Sequence, residues 1–254
     1  MATRHTFNKC SFIVAVSTTL LTANLPCIAA SQATAPITGF AQTFLLSAEL
    51  ANATITVLET GEKFHTDLSG RFGPIFYPVG APITLQFDKW GYKTTQSETV
   101  IVPPGGLTKP FDNITFQVPT IESYFLLAYM MGAKIDDNSC HVTATVTGYH
   151  KVLHDLPQGE ADAIVTLSPA VNESPFYFGI FQSGLLKNRT NPFPQGLTKT
   201  SEDGGVAFFN LPPSDQPYTL SATKPGVKFT EAKFICKKGA FINISPPRGP
   251  MALT

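Results

Sequence analysis

The densest group of side chains able to bind a metal or move a proton is His150-Lys151-Val152-Leu153-His154, followed closely by Asp155, Glu160 and Asp162. On a helix, two histidines four positions apart share a face and could hold zinc. The flanks read otherwise, because Val142 to Thr147 alternates as a strand does and Leu156-Pro157-Gln158-Gly159 is a turn signal. Along a strand, positions four apart lie about 13 Å from each other, too far for one ion. A metal-dependent hydrolase at His150 and His154 is therefore only the third reading of the chain, and no cofactor is expected. Signals for other nucleophiles are missing: no Gly-x-Ser-x-Gly and no His-Glu-x-x-His occurs, and Gln182-Ser183-Gly184 lacks a strand-turn-helix setting.

The second group is aromatic. Pro175-Phe176-Tyr177-Phe178-Gly179-Ile180-Phe181 leads into Lys187-Asn188-Arg189-Thr190-Asn191-Pro192-Phe193. Aromatics flanked by cations can receive a protein partner or stack on sugars. Phe176, Tyr177, Lys187, Arg189 and Phe193 are thus the candidate binding residues, for a protein partner first and for a glycan second. The competing assignment places Phe176, Phe178 and Phe181 in an apolar core, and groups Trp90, at a strand bend before Gly91, with them.

The elements that must position these residues are strands. With 43% apolar and only 14% charged residues the chain can build a real core, and its 19 Gly, 21 Pro and 20 Phe favour short strands and turns over long helices. Eighteen Lys+Arg balance eighteen Asp+Glu, so no global field recruits nucleic acid. Arg4 and Lys9, the uncharged apolar stretch from Phe12 to Ala23, and small residues at Ile28-Ala29-Ala30 read as a signal peptide over residues 1–30. Its removal leaves 16 basic residues against 18 acidic ones and no further stretch of membrane-spanning length, so a secreted or periplasmic protein is expected. Cys10 and Cys27 leave with that segment. Cys140 and Cys236 remain, and an oxidising compartment makes them a disulfide by default. Five Asn-x-Ser/Thr sites stand at Asn52, Asn113, Asn172, Asn188 and Asn243, and they matter only in a eukaryotic secretory pathway.

The strands come in two copies of one pattern. Thr66-Asp67-Leu68-Ser69-Gly70 matches Thr200-Ser201-Glu202-Asp203-Gly204, each preceded by an alternating run, Ala53 to Val57 and Ala163 to Leu167. After the turns, Ile83 to Phe87 closes on Lys89-Trp90-Gly91-Tyr92, and Tyr218 to Ala222 closes on Lys224-Pro225-Gly226-Val227. The second copy carries a long insertion between Ser168 and Lys199. Between the copies, Ile121 to Met131 reads as a short helix capped by Thr120 and stopped by Gly132; its near-continuous apolarity predicts burial of several faces.

Ile37-Thr38-Gly39-Phe40, Thr66 to Phe72 and Lys89 to Tyr92 together resemble the carboxypeptidase regulatory-like domain, a transthyretin-like (prealbumin-like) β-sandwich. The resemblance implies an all-β chain of two tandem sandwiches, at 36–119 and 139–247, with a helical linker over 120–138. It also implies a non-catalytic module. The Tyr-Arg-Gly-Ser ending of related hydroxyisourate hydrolases and the His-x-His of related intradiol dioxygenases do not occur here.

Overall fold

The computed structural model describes residues 32–44 and 46–253. The expected signal peptide lies outside them. The first half contains β1 (Thr34–Thr43), β2 (Thr54–Val57), β3 (Lys63–His65), β4 (Arg71–Pro78), β5 (Pro82–Asp88), β6 (Thr95–Ile101) and β7 (Ile114–Val118). Helix α1 (Ile121–Met130) follows. The second half contains β8 (Cys140–Thr145), β9 (Ile164–Ser168), β10 (Phe176–Tyr177), β11 (Gly179–Ile180), β12 (Thr190–Asn191), β13 (Gly205–Leu211), β14 (Tyr218–Thr223), β15 (Ala232–Phe234) and β16 (Phe241–Ile244).

The described residues are all-β apart from α1 and one 3-10 turn, and the two halves share a topology. In the first, β1 lies antiparallel to β4 and parallel to β7, opposite a sheet ordered β6-β5-β2-β3. In the second, β8 lies antiparallel to β13 and parallel to β16, opposite β15-β14-β9. Alternation along the strands sends one set of side chains inward in each half. Ile55, Leu85, Phe87 and Phe116 fill the first core, and Val142, Val165, Phe208, Leu220 and Ile242 the second. Cys140 and Cys236 are bonded, with Cα atoms 5.6 Å apart, and pin β8 to the segment after β15 across that second core.

The two turn motifs are built from the same bonds. Thr66 Oγ1 accepts from Ala53 N–H at 2.9 Å and donates to the Leu50 carbonyl at 2.6 Å; Thr200 Oγ1 accepts from Ala163 N–H at 2.8 Å and donates to the Glu160 carbonyl at 2.6 Å. Asp67 Oδ1 caps Ser69 N–H, a task that Ser201 Oγ performs for Asp203 N–H. Gly70 and Gly204 both sit at φ +74°, and a Cβ there would lie 2.5 Å from the Ala41 carbonyl oxygen or 2.3 Å from that of Val146. Since Ala53 precedes its threonine by 13 residues and Ala163 by 37, the second half carries 24 extra residues in this connection.

The halves are not beads on a linker. β16 also runs parallel to β6 at Ile242 and Gln96, so one eight-stranded sheet crosses from half to half. A polar seam flanks the joint: Thr115 Oγ1 donates to the Pro246 carbonyl at 2.6 Å, Gln96 Nε2 to the Ile235 carbonyl at 3.2 Å, and Arg248 Nε to Glu98. Helix α1 starts where expected, with Thr120 Oγ1 accepting from Ser123 N–H at 3.1 Å, and Gly132 at φ +72° follows its end. Its burial differs from expectation. Only Tyr124 and Ala128 are buried, while Ile121, Phe125, Leu126 and Tyr129 face solvent. Tyr124 also bridges the halves, with Lys93 Nζ over its ring at 4.8 Å and the Phe241 ring at 5.1 Å.

Candidate functional site

The histidines do not converge. Residues 148–157 form a loop instead of a strand, in which His150 stacks on Tyr149 at 3.9 Å and lies 5.4 Å from the Phe111 ring. His154 meets the edge of Phe40 at 5.5 Å. Each imidazole thus packs on its own aromatic neighbour, and no three His, Cys, Asp or Glu among the described residues are placed to hold one ion.

The aromatic insertion is a folded hairpin, not an extended loop. Phe176 and Tyr177 form β10 against β13, and Tyr177 is buried with its hydroxyl accepting from Val165 N–H at 3.0 Å. That hydroxyl satisfies an amide of the edge strand β9 and makes Tyr177 a core residue, unavailable to a ligand. Phe178 is buried and Phe176 half-buried. β11 and β12 carry the chain out and back, with Lys187 exposed at the tip. Arg189 Nη1 reaches Ser47 Oγ of the first half at 3.3 Å, and the half-exposed Phe193 packs edge-on against Phe181.

What the insertion builds, together with α1, is a cleft over the outer face of the β8-β13-β16 sheet. Phe44 and Pro119 come from the first half, Leu127 from α1 and Met131 from its C-cap, Phe178 and Pro192 from the insertion, and Phe209 and Phe241 from the sheet strands. About 50 Å³ inside it is free for water-sized occupants. The floor is polar. Asp203 Oδ1 accepts from Thr190 Oγ1 at 2.6 Å and Oδ2 from Gly205 N–H at 3.0 Å, yet burial outweighs both bonds and pushes its carboxyl up to about 6. No cation is among the lining residues. Gln158 Oε1 and the Tyr124 hydroxyl are buried there without a hydrogen-bond partner in the protein, and burial raises the Tyr124 phenol far above its ordinary range. An apolar mouth over unsatisfied polar atoms suits a ligand with apolar side groups and a hydrogen-bond donor.

Tyr124, Gln158 and Asp203 carry no signal of a site in the sequence. Asp203 reads locally as a turn residue, and only the hairpin folded over it removes it from water. Trp90, grouped with the core aromatics, is 97% exposed. Of the five Asn-x-Ser/Thr sites, Asn243 is closed to a glycan: it is buried, donates to Thr143 Oγ1 at 3.0 Å and accepts from Gln117 N–H at 3.2 Å. Asn113 buries its carbonyl oxygen, whereas Asn52, Asn172 and Asn188 face solvent. Among the described residues no helix is long and apolar enough to cross a membrane.

Neither a protein-family model nor a curated protein sequence matches the chain. Among solved structures it is similar to the Bacillus anthracis TIE protein, at 16% identity and a TM-score of 0.23, covering 84% of this chain and 34% of that one. The chain therefore spans about a third of the TIE protein's length. It is also similar to the shaft pilin SpaA from Lactobacillus rhamnosus GG, at 10% identity and a TM-score of 0.23, over 87% of this chain and 97% of the pilin. The major pilin from Streptococcus pyogenes follows at 11% identity and a TM-score of 0.18, over 88% and 97% of the two chains. Superposition at this level says nothing about what the chain binds.

Proposed function

We propose that this chain is a non-catalytic binding module, secreted or periplasmic, made of two carboxypeptidase regulatory-like, transthyretin-like sandwiches, and that it engages a protein partner at the α1 cleft. One observation carries the reading. Leu127 of α1, Met131 at its C-cap and Phe178 of the insertion line a cleft whose floor holds a carboxyl group, a free amide oxygen and a free hydroxyl. The apolar lining of Leu127, Met131 and Phe178 and the unpaired polar atoms at the floor are both stabilised by the same event, entry of an extended peptide segment. Its side chains would be apolar where they meet Leu127, Met131 and Phe178, and one lysine or arginine would answer Asp203 and Gln158.

Selection of a displayed random-peptide library on the mature protein tests this. The expected result is a motif with one basic residue between apolar ones, whose binding weakens at least about tenfold in Leu127→Asp and in Asp203→Asn. Peptides that bind the variants as well as the parent, or a selection that enriches no motif, would overturn the reading.

A further inference from the structure

Trp90, the chain's single tryptophan, stands at the corner between β5 and β6, where Tyr92 N–H donates to the Lys89 carbonyl at 3.1 Å and Gly91 takes φ +81°. The second sandwich makes the same corner from Lys224-Pro225-Gly226-Val227. Val227 N–H donates to the Lys224 carbonyl at 3.2 Å and Gly226 takes φ +79°. Proline is what such a turn favours at this position, so the fold has no need of an indole there. An exposed Trp in its place forgoes the burial that makes a large aromatic favourable in folding.

Apart from Lys89, whose counterpart is Lys224, its neighbours are also particular to the first sandwich. Asn52, Thr54, Asp88, Lys89 and Thr94 border one shallow concavity with Trp90. Thr54 opposes Asp88 across β2 and β5, where the second sandwich has Ile164 opposite Thr223. Asp88 is held in place by Gln86 Nε2 and Thr94 Oγ1, each donating at 2.7 Å, and Lys89 Nζ donates to the Ala51 carbonyl at 2.6 Å. Asn52 takes φ +54°, as the corresponding Asp162 takes +62°, which accounts for its backbone and leaves its side chain exposed.

We infer that this corner binds a saccharide, with the C–H face of one pyranose ring on the indole and its hydroxyls bonded to Asp88, Asn52 and Lys89. A membrane-inserting tryptophan would be ringed by apolar side chains, and the flanks here are charged or amide-bearing. A pyranose presents an apolar face and a polar rim together, which is the pattern of the site. Two sources share this chemistry. The sugar is either a glycan from outside or one attached to Asn52 itself, since Asn52-Ala53-Thr54 is an acceptor sequence.

Because no other tryptophan is present, indole emission reads this corner alone. Unglycosylated mature protein is titrated with chitohexaose, mannohexaose and maltohexaose to about 10 mM, beyond the weak end of specific recognition. An outside glycan gives a saturable blue shift with one of them, and calorimetry shows binding at least about tenfold weaker in Trp90→Pro, which copies the second sandwich's corner and keeps its circular dichroism. An attached glycan instead gives protein from a eukaryotic secretory host a blue-shifted emission, reversed by enzymatic deglycosylation and absent in Asn52→Gln. If both preparations leave the emission unchanged, if Trp90→Pro binds the sugar as well as the parent, or if phosphatidylglycerol vesicles are what shift the emission, the inference is wrong.

Discussion

Asp203→Asn should stabilise the protein at neutral pH and not in acid. The carboxyl is buried and lifted to about 6 from an ordinary value of 3.8, because desolvation exceeds the help of Thr190 and Gly205. The folded state therefore holds this proton more tightly than the unfolded chain does. Stability from the protonated group is complete below about pH 4, drains away as pH rises, and is gone above about pH 6. A shift of roughly 2 pH units costs about 3 kcal/mol at neutral pH, with about 2–4 kcal/mol as the working range. Asparagine preserves the local bonds, since its carbonyl oxygen can accept from Gly205 N–H and its amide can donate to Thr190 Oγ1. Urea unfolding of both proteins at pH 4, 5, 6 and 7.5, with the disulfide intact, measures the difference directly. Other titrating groups cancel in it: His141, held low by burial, and Asp67 and Asp136, held low by backbone amides, are common to both. The difference should be near zero at pH 4 and reach about 3 kcal/mol at pH 7.5, a gain of about 6–12 °C in Tm for a protein of this size. A flat difference across the series, or an asparagine variant that is weaker at pH 7.5, would refute burial as the governing influence on this carboxyl.

Gly70→Ala and Gly204→Ala should each cost about 2 kcal/mol or more by thermal unfolding, because a left-handed backbone and a Cβ against a carbonyl oxygen act together; Gly226→Ala, with open space around it, should cost only about 1–2 kcal/mol. Reduction of Cys140–Cys236, which closes a separation of 96 residues, should remove about 4–5 kcal/mol, read by urea unfolding with and without reductant, and the native protein should show no alkylatable thiol at either position. Replacing His150 and His154 together by Ala should leave binding of any selected peptide within about twofold, since each imidazole packs on an aromatic ring away from the cleft. Phe125→Ser with Leu126→Ser should change stability by less than about 1 kcal/mol and leave that binding within about twofold, because both side chains are already in water and outside the face of α1 that lines the cleft.

These outcomes follow different degrees of legibility in the chain. The strands, the paired turns and the disulfide can be read from the sequence because each has a local physical cause: period-two alternation, a threonine that bonds two backbone groups at once, a glycine where a Cβ cannot go, and two cysteines in an oxidising setting. Ile121 to Met131 was legible as a helix, but apolar composition says how much surface wants cover and not what covers it, and here α1 keeps four large side chains in water. The pairing of β16 with β6 rests on a single bridge, Ile242 with Gln96, which no periodicity announces. Asp203 looks like any turn aspartate until the 24-residue excursion folds over it. Trp90, for which a core place was one of two assignments, is exposed, and the signal that decides between them lay in the repeat itself. A position filled by Trp90 in one copy and by Pro225 in the other, each between lysine and glycine, reads as a turn corner, since proline there has no N–H to give a sheet and presets the φ of a turn's second residue. Comparing the copies position by position thus separates what the fold requires from what only one sandwich carries. By that comparison the threonine and glycine of the turns belong to the fold, while Trp90, Asp88 and the hairpin over Asp203 are particular to one copy and are not required by it.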